Sequence, residues 1–338
     1  MKRKMYLKSL AVFLSACLFL SSCSCCSLSD FAGRSDYYQF AFKEDGCIYA
    51  AYDAAGKIGG KCSIVTHVKE ISASGEEKLV AEIPTPAVCY GEGRFWYSLC
   101  GTLFSCTLEG DDLRVELKGE KKRRLTPIGI KKGRLLLYGF YPKLDEAKEN
   151  APYSAAYIVF DKETGKETFL CEPSVQVRYN DSQSGQQWNG EEFFCLFGRE
   201  NQQPCRIGPE GCSVVFEQGF IIGLAEDGTA YWGNKEGDQL EICMQKEGEE
   251  PECFAFTFPQ YVRQTYLTDD GQVMLAAFSN GLWSLYRFTP KTGEMAVIFA
   301  NRYQGYEYFF FDKENYYGLS PSEPGFVQGP LEPLYYLT

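Results

Sequence analysis

Histidine is almost absent from this chain of 338 residues: His67 is the single one. One imidazole excludes a metal centre built from several histidines, and a Ser-His-Asp or Cys-His site would have to use His67 itself. The sequence also lacks a Gly-x-Ser-x-Gly elbow, a Gly-x-Gly-x-x-Gly loop and the alternating acids of an EF-hand. His67 lies in the alternating run Ser63 to Ile71, which predicts a strand residue on a solvated face. We therefore predict no catalytic residues, no metal site and no cofactor.

Positive charge is scarce once the first 22 residues are set aside. They contain four cations and no anion, so their removal leaves 30 Lys and Arg against 45 Asp and Glu, a formal charge of −15. Nucleic acids and anionic lipid surfaces both require a basic footprint. The one basic cluster, Lys118 with residues 121–124, is expected in a solvated loop between strands. The composition thus predicts no nucleic-acid partner.

The apolar run near the N-terminus, Leu10 to Leu20, is too short to span a bilayer. Four cations precede it, and Leu20-Ser21-Ser22-Cys23 ends it. This arrangement resembles the signal and lipobox of bacterial lipoproteins over the first 23 residues. The resemblance implies that residues 1–22 are removed and that Cys23 carries diacylglycerol, which anchors an exported protein to the outer face of the cell membrane or to the envelope. An ordinary cleaved signal and an uncleaved anchor are the alternatives. Residues 23–36 would then form a short lipidated tether.

Turn signals recur along the rest of the chain at intervals of about 45 residues, the period of four-stranded propeller blades. Each is followed by a β-type run, and glycine at these turns supplies a positive φ without steric cost. The signals are Asp45-Gly46, Glu92-Gly93, Lys132-Gly133, Asn189-Gly190, Asp227-Gly228, Asp270-Gly271 and the degenerate Glu314-Asn315.

Residues 261–300 show a complete unit, with four strand-like runs and the strong hairpin signal Asn280-Gly281. Because of this period, residues 37–338 resemble a seven-bladed β-propeller, an all-β domain in which each blade is expected to have four strands. A pair of β-sandwiches is the rival architecture, and it fits seven even units less well. The predicted blades are 37–83, 85–118, 123–172, 173–217, 218–258, 261–300 and 303–338.

The seventh unit shows three clear runs, and its last strand is expected at Leu334 to Leu337. We expect a strand near Phe31 or Tyr37 to complete its sheet, because an open edge would otherwise remain.

Cysteine is abundant: fifteen in all, of which thirteen remain after loss of Cys17 and lipidation of Cys23. An odd number leaves at least one unpaired or bonded outside the chain. Two pairs flank short turns and could bridge hairpin arms if their Cα atoms lie within about 7 Å. The alternative is that many are small buried apolar residues kept reduced, and the sequence does not separate the two readings. The pairs are Cys205 with Cys212 and Cys243 with Cys253.

Paired acids occur at three predicted turns, where a carboxylate caps local backbone N–H groups. A glycosidase or lyase needs two carboxylates about 5–9 Å apart, so a carbohydrate-active enzyme is the alternative function. A redox-responsive protein ranks last, because no CxxC follows Cys26. The acid pairs are Glu44/Asp45, Asp111/Asp112 and Asp269/Asp270.

The connections between second and third strands differ most in length, from the minimal Asn280-Gly281 to the long Pro142–Ala155 and Ser320–Glu332. Uneven loops on a repeating scaffold are where function usually lies. We therefore predict a non-enzymatic envelope lipoprotein whose propeller binds a protein partner or an envelope glycan. The candidate binding residues are Tyr141, Tyr153, Asn201, Gln202, Gln203 and Phe326.

Overall fold

Seven antiparallel sheets follow one another along the chain in the computed structural model. Within the described residues 27 β-strands occur and no α-helix, and no helix there is both long and apolar enough to cross a membrane. The chain divides into two compact units, Met1–Thr168 and Phe169–Thr338. The described residues are 38–58, 61–119, 123–142, 153–170, 187–197, 203–216, 219–301, 308–319 and 326–337.

The first compact unit holds three four-stranded sheets, each with its strands in sequence order. Sheet 1 contains β1 (Tyr38–Glu44), β2 (Cys47–Ile58), β3 (Lys61–Ile71) and β4 (Glu77–Ile83); sheet 2 contains β5 (Val88–Gly91), β6 (Arg94–Leu99), β7 (Thr102–Cys106) and β8 (Arg114–Leu117); sheet 3 contains β9 (Arg124–Lys131), β10 (Arg134–Pro142), β11 (Tyr153–Asp161) and β12 (Lys166–Phe169).

The second compact unit holds sheets 4 to 7, with three, four, five and three strands in the described residues. Sheet 4 contains β13 (Phe193–Phe197), β14 (Gln203–Gly208) and β15 (Gly211–Val214); sheet 5 contains β16 (Phe220–Leu224), β17 (Ala230–Glu236), β18 (Gln239–Gln245) and β19 (Glu252–Thr257); sheet 6 contains β20 (Tyr261–Leu267), β21 (Val273–Ser279), β22 (Leu282–Thr289), β23 (Glu294–Asn301) and β27 (Tyr335–Tyr336); sheet 7 contains β24 (Tyr308–Phe311), β25 (Asn315–Leu319) and β26 (Phe326–Pro330).

The predicted turn signals fall where the repeat requires them, between the first and second strands of their sheets. In sheet 1, Asp45 and Gly46 both adopt a positive φ, 48° and 81°, as a two-residue hairpin demands. In sheet 4 the first strand is represented by Trp188, which bridges to Phe193 across Asn189-Gly190. The seven-unit, all-β prediction is confirmed.

The core lies between consecutive sheets, and strand β6 shows how the sequence builds it. Successive side chains of a strand point to opposite faces. Phe95 therefore packs in a cluster with sheet 1, while the next residue, Trp96, packs in a cluster with sheet 3. Both are almost fully buried. Strands covered on both faces explain the dense aromatic content, because rings of about 150–250 Å² fill the space between twisted sheets.

Hydrogen bonds between consecutive sheets join residues about one repeat apart. Thr265 Oγ1 donates to the carbonyl of Ile221 at 3.2 Å, and the N–H of Phe309 donates to the Tyr266 hydroxyl at 3.0 Å. These pairs are 44 and 43 residues apart in sequence. The residues that form these bonds between neighbouring sheets are therefore about as far apart in sequence as two successive turn signals.

The prediction that Leu334 to Leu337 completes the seventh sheet is wrong. This segment instead pairs with β23, the edge of sheet 6, through a 2.7 Å bond from the Leu334 N–H to the Val297 carbonyl. The third strand of sheet 7 is β26, which ends at Pro330, opposite Asn315, the first residue of β25. The C-terminal segment covers an edge of buried apolar residues that would otherwise be open. Phe31 and Tyr37 lie outside the described residues.

Candidate functional site

Each sheet has two ends, and their connections differ. We call the turn end the one that carries the connections from first to second and from third to fourth strands. The loop end carries the connection from second to third strand and the link to the next sheet. In sheet 1, for example, Asp45-Gly46 lies at the turn end, and the connection between β2 and β3 lies at the loop end.

At the turn end of the first compact unit, Glu92 joins sheet 2 to sheet 3. Its carboxylate accepts a 2.7 Å hydrogen bond from the N–H of Gly133 and forms an ion pair with Lys162. Burial by itself raises the pKa of Glu92, but the hydrogen bonds from Lys162 and Gly133 outweigh burial, so the pKa lies below the ordinary value. Glu92, the acidic residue of one turn signal, thus binds the backbone of the next turn signal, Lys132-Gly133.

At the turn end of the second compact unit, Arg206 of β14 extends to sheet 5. Its side chain is only 6% exposed, and Nη2 donates a 2.6 Å bond to the carbonyl of Gly228. Oε2 of Glu192 and Oε2 of Glu247 lie 3.7 and 3.8 Å from Nη1. Burial raises the pKa of Glu192, and the Arg206 charge opposes that shift. Two carboxylates therefore converge, but on a guanidinium, which makes this an ion-pair cluster that holds two sheets together.

A second arginine repeats this tie one sheet pair further along. Arg287 lies in β22, the third strand of sheet 6, as Arg206 lies in the third strand of sheet 4. Its Nη1 donates a 2.6 Å bond to the carbonyl of Leu331, just beyond β26. The third-strand arginines thus fasten sheet 4 to sheet 5 and sheet 6 to sheet 7.

Of the paired acids considered in the sequence, Glu44 is the last residue of β1, and the other five lie in the connections between strands. Asp112 pairs with Arg94 and Arg114, and these hydrogen bonds, foremost the one from Arg114, lower its pKa. Asp270 accepts a 2.5 Å bond from the Thr268 hydroxyl of its own turn. Such contacts are those of turn capping and surface ion pairing.

The loop end of sheet 1 has a feature that the sequence reasoning missed: a two-stranded arm, residues 53–58 of β2 and 61–66 of β3. Six residue pairs, from Asp53 with Thr66 to Ile58 with Lys61, continue past Tyr52, the last residue of β2 that pairs with β1. On the other side, β4 reaches β3 only as far as Thr66. The Gly59-Gly60 dipeptide between two alternating runs is the hairpin signal that could have identified this arm.

A row of three polar side chains lies at the base of the arm. Tyr52, His67 and Glu82 are directly opposite one another on β2, β3 and β4. His67 Nε2 is 3.1 Å from Glu82 Oε2, and the Tyr52 hydroxyl is 3.5 Å from His67 Nδ1. Lys69 Nζ sits 4.5 Å from the centre of the Tyr52 ring. His67 is thus a strand residue among polar and aromatic neighbours, and the row can donate and accept hydrogen bonds.

The predicted binding residues that the structure describes all lie at the base of loop-end connections. Tyr153 is directly opposite Pro142 where β10 and β11 diverge, and Tyr141 is one pair below. Gln203 is exposed and opens β14. Phe326 opens β26, and its ring stacks with that of Tyr317 at 6.4 Å. Asn201, Gln202 and the predicted lipidation site, Cys23, lie outside the described residues.

The cysteines of sheets 4 and 5 differ in state. Cys243 and Cys253 are directly opposite on β18 and β19 and form a disulfide. Cys205 and Cys212 are thiols joined by a hydrogen bond, and their register is diagonal, since Cys205 is opposite Val214. Diagonal residues lie about 7–8 Å apart, farther than a disulfide spans without backbone movement. The sequence reasoning missed Cys195, which is the residue directly opposite Cys205.

No family profile and no curated protein matches this chain. An acylaminoacyl peptidase in complex with Z-Gly-Gly-Phe-chloromethyl ketone is 12% identical, with a TM-score of 0.51 over 88% of this chain and 52% of that one. The β-propeller domain of the Trilobed protease from Pyrococcus furiosus is 12% identical, with a TM-score of 0.48 over 88% of this chain and 98% of that one. The fold is a β-propeller.

An acylaminoacyl peptidase from Pyrococcus horikoshii is 13% identical, with a TM-score of 0.46 over 84% of this chain and 49% of that one. This chain thus spans about half the length of the two peptidases. Likeness at this level of identity concerns the propeller fold and carries no activity with it.

Proposed function

We propose that this protein is a non-enzymatic binding or scaffolding lipoprotein of the bacterial envelope. In this proposal the loop end of the propeller holds a protein partner or an envelope glycan, and Cys23 carries the lipid anchor. The observation that carries the proposal is the arm of sheet 1 with the Tyr52–His67–Glu82 row at its base. Turn-end charges, by contrast, are engaged in ties such as that of Glu92 to the next turn.

The arm favours a protein partner. Residues 61–65 of β3 have no fourth-strand neighbour in the described part of sheet 1, because β4 pairs no farther than Thr66. An open strand edge offers a row of backbone donors and acceptors to an incoming extended peptide. Polar and aromatic side chains at the base of the arm add contacts that distinguish one peptide from another. A glycan would instead rely on stacked rings such as Tyr317 and Phe326.

The alternative function, a carbohydrate-active enzyme, requires two carboxylates with different protonation states beside the substrate. Glu192 and Glu247 both approach Arg206 Nη1, and the pKa of Glu192 is raised by burial. Both carboxylates lie beside one guanidinium, which also donates to the Gly228 carbonyl, so their contacts are those of an ion-pair cluster between sheets 4 and 5. We therefore rank this alternative second, and hydrolysis of any arrayed envelope glycan would reverse the order.

Crosslinked capture from intact cells tests the binding proposal. In the arm variant, residues 56–63 are replaced by Asn-Gly, which joins the opposed residues Ala55 and Ile64 by a two-residue turn. We expect this variant to lose the partner that the wild type captures. The matched control is Glu163→Gln, an exposed turn-end residue, which should capture the partner as the wild type does. Equal capture by the arm variant would contradict the proposal.

The anchor is tested separately. Mass spectrometry of membrane-extracted protein should identify a diacylated N-terminal peptide that begins at Cys23, and Cys23→Ala should release the protein from the membrane fraction. Membrane attachment that persists in the Cys23→Ala variant would remove the lipoprotein part of the proposal. It would leave the loop-end binding site to the capture experiment.

A further inference from the structure

Three metal-ligating side chains converge on one face of sheet 5. Glu241 and Cys243 are two residues apart on β18, so they point to the same face, and Cys253 is directly opposite Cys243 on β19. One ligand atom from each, a carboxylate oxygen and two sulfurs, can be chosen so that all three lie within 4.8 Å of one another. The Cα atoms of the two cysteines are 4.1 Å apart.

This geometry suits a thiophilic divalent cation once the sulfurs are thiolates. Zn–S bonds are about 2.3 Å and Zn–O bonds about 2.0–2.2 Å, so ligand atoms of a tetrahedral site lie roughly 3.5–4 Å apart. In the structure the three ligand atoms lie within 4.8 Å of one another, which is close to that spacing. Two thiolates with one carboxylate favour Zn²⁺ over Mg²⁺ or Ca²⁺, which prefer oxygen ligands only. Three protein ligands leave a fourth position for water or a partner's group.

The three ligand side chains have apolar rings on one side and solvent on the other. Cys243 is buried opposite Trp232 on β17, and the Trp232 ring stacks on Phe216 with centroids 5.1 Å apart. Cys253 and Glu241 are exposed, so a cation can arrive from solvent. An apolar wall on one side lowers the local dielectric and strengthens thiolate–metal attraction. Among the described residues no side chain forms a hydrogen bond or ion pair with the Glu241 carboxylate, so the carboxylate is available.

We propose that reduced Cys243 and Cys253, together with Glu241, bind one Zn²⁺, and that disulfide formation and zinc binding at this site exclude each other. A dithiol reductant converts the disulfide to two thiols and is itself oxidised to a disulfide. Zn²⁺ then forms two Zn–S bonds as the two thiols release their protons. The redox state of one cross-strand pair thereby decides whether sheet 5 carries a covalent bridge or a metal. This proposal is independent of the loop-end binding function.

The experiment counts zinc equivalents bound by the full-length protein in detergent, first oxidised and then reduced with a phosphine and freed of reductant. Zinc is titrated in competition with a chromophoric chelator. We expect reduced wild type to bind one equivalent more than oxidised wild type. The Cys243→Ser/Cys253→Ser variant should lack that equivalent, and Glu241→Gln should bind it about tenfold or more weakly. The matched control, Cys205→Ser/Cys212→Ser, should retain it.

Equal zinc stoichiometry in reduced wild type and in the Cys243→Ser/Cys253→Ser variant would overturn the proposal. So would an oxidised protein that binds as much zinc as the reduced one. Glu241→Gln leaves the disulfide and the core intact, and its urea unfolding curve in the oxidised state shows that it is folded. Unchanged zinc affinity in this variant would exclude Glu241 as a ligand. As an independent readout, zinc should slow re-formation of the Cys243–Cys253 bond by a disulfide oxidant.

Discussion

The two ends of the sheets differ in what their side chains do. At the turn end, Glu92, Arg206 and Arg287 each reach a backbone group of the following sheet. At the loop end, connections range from the two residues Asn280-Gly281 to the six-pair arm of sheet 1. This difference indicates that side chains at the turn end hold successive sheets together. The other end is free to vary because little of the fold depends on it.

The division has a simple physical basis. A turn of two residues admits few conformations and places its backbone carbonyl and N–H groups at fixed positions, which a neighbouring charged side chain can reach. Of the three ties above, that of Glu92 reaches such a turn, Lys132-Gly133, whereas Gly228 lies in a five-residue connection and Leu331 follows β26. Connections from second to third strand range from two residues in sheet 6 to ten in sheet 3. The comparison can therefore be tested by changing one end at a time and measuring stability.

The largest effect is expected for Arg206→Met. The substitution keeps the side-chain volume but leaves Glu192 without its cation and the Gly228 carbonyl without its donor. Removal of one partner of a buried ion pair costs about 3–5 kcal/mol, and partial exposure of Glu192 places the expected loss near 3 kcal/mol. Urea unfolding measures it. The exposed Arg263→Met is the control and should change stability by less than about 0.5 kcal/mol. An equal loss of stability in the two variants would show that the contacts of Arg206 do not stabilise the fold.

The next effect concerns the disulfide near the turn between β18 and β19. Its cysteines are 10 residues apart, and a loop of that size is stabilised by about 2–3 kcal/mol when closed. We expect Cys243→Ser/Cys253→Ser to lower the free energy of unfolding of the oxidised protein by that amount. In metal-free buffer, reduction of the wild type should lower it similarly. Cys212→Ser, at an exposed thiol, serves as the control and should be nearly neutral. A similar loss in the control would show that the effect is not due to the bridge.

Much of this architecture could be predicted from turns alone, for a physical reason. Gly46 and the glycines of the other turn signals adopt a positive φ, and this local requirement can be recognised in the sequence from the glycine itself. The transfer of Tyr335–Tyr336 to sheet 6 was missed because it depends on which edge is open after folding. The arm of sheet 1 was missed although Gly59-Gly60 is a hairpin signal, because that signal does not show that the two strands extend beyond the rest of their sheet. No single residue type in a sequence indicates which strand edge will be left unpaired. The same is true of cysteine pairing, which follows register rather than spacing.

The candidate site was predictable only in part. Variation in loop length directs attention to the second-to-third connections, where Tyr153, Gln203 and Phe326 lie, and their role in binding stays a prediction. The Tyr52–His67–Glu82 row could not be seen, because its members are 15 residues apart in sequence and meet only through the register of three strands. The convergence of Glu192 and Glu247 on Arg206 likewise depends on the packing of two sheets.

A smaller effect is expected for Glu92→Gln, and it should depend on pH. The folded-state pKa of Glu92 lies below its ordinary value, so its ionised form contributes stability above the unfolded pKa. That contribution is lost as pH falls through the folded pKa. Because Lys162 is partly exposed, we expect a cost of only about 0.5–1 kcal/mol at pH 7. The difference from wild type should shrink as pH falls from 7 through that lowered pKa. A constant difference across that pH range would show that the carboxylate charge is not the cause.

The smallest effect on stability is expected at the loop end, from replacement of residues 143–152 by Asn-Gly. Pro142 and Tyr153 are directly opposite, so a two-residue turn can join them as Asn280-Gly281 joins β21 and β22. Shortening the connection changes its closure entropy only weakly, so we expect a change below about 1 kcal/mol in the free energy of unfolding by urea. Partner capture from intact cells should nonetheless weaken if this loop contributes to the binding surface. A loss of stability as large as that of Arg206→Met would show that both ends support the fold, and the distinction between them would fail.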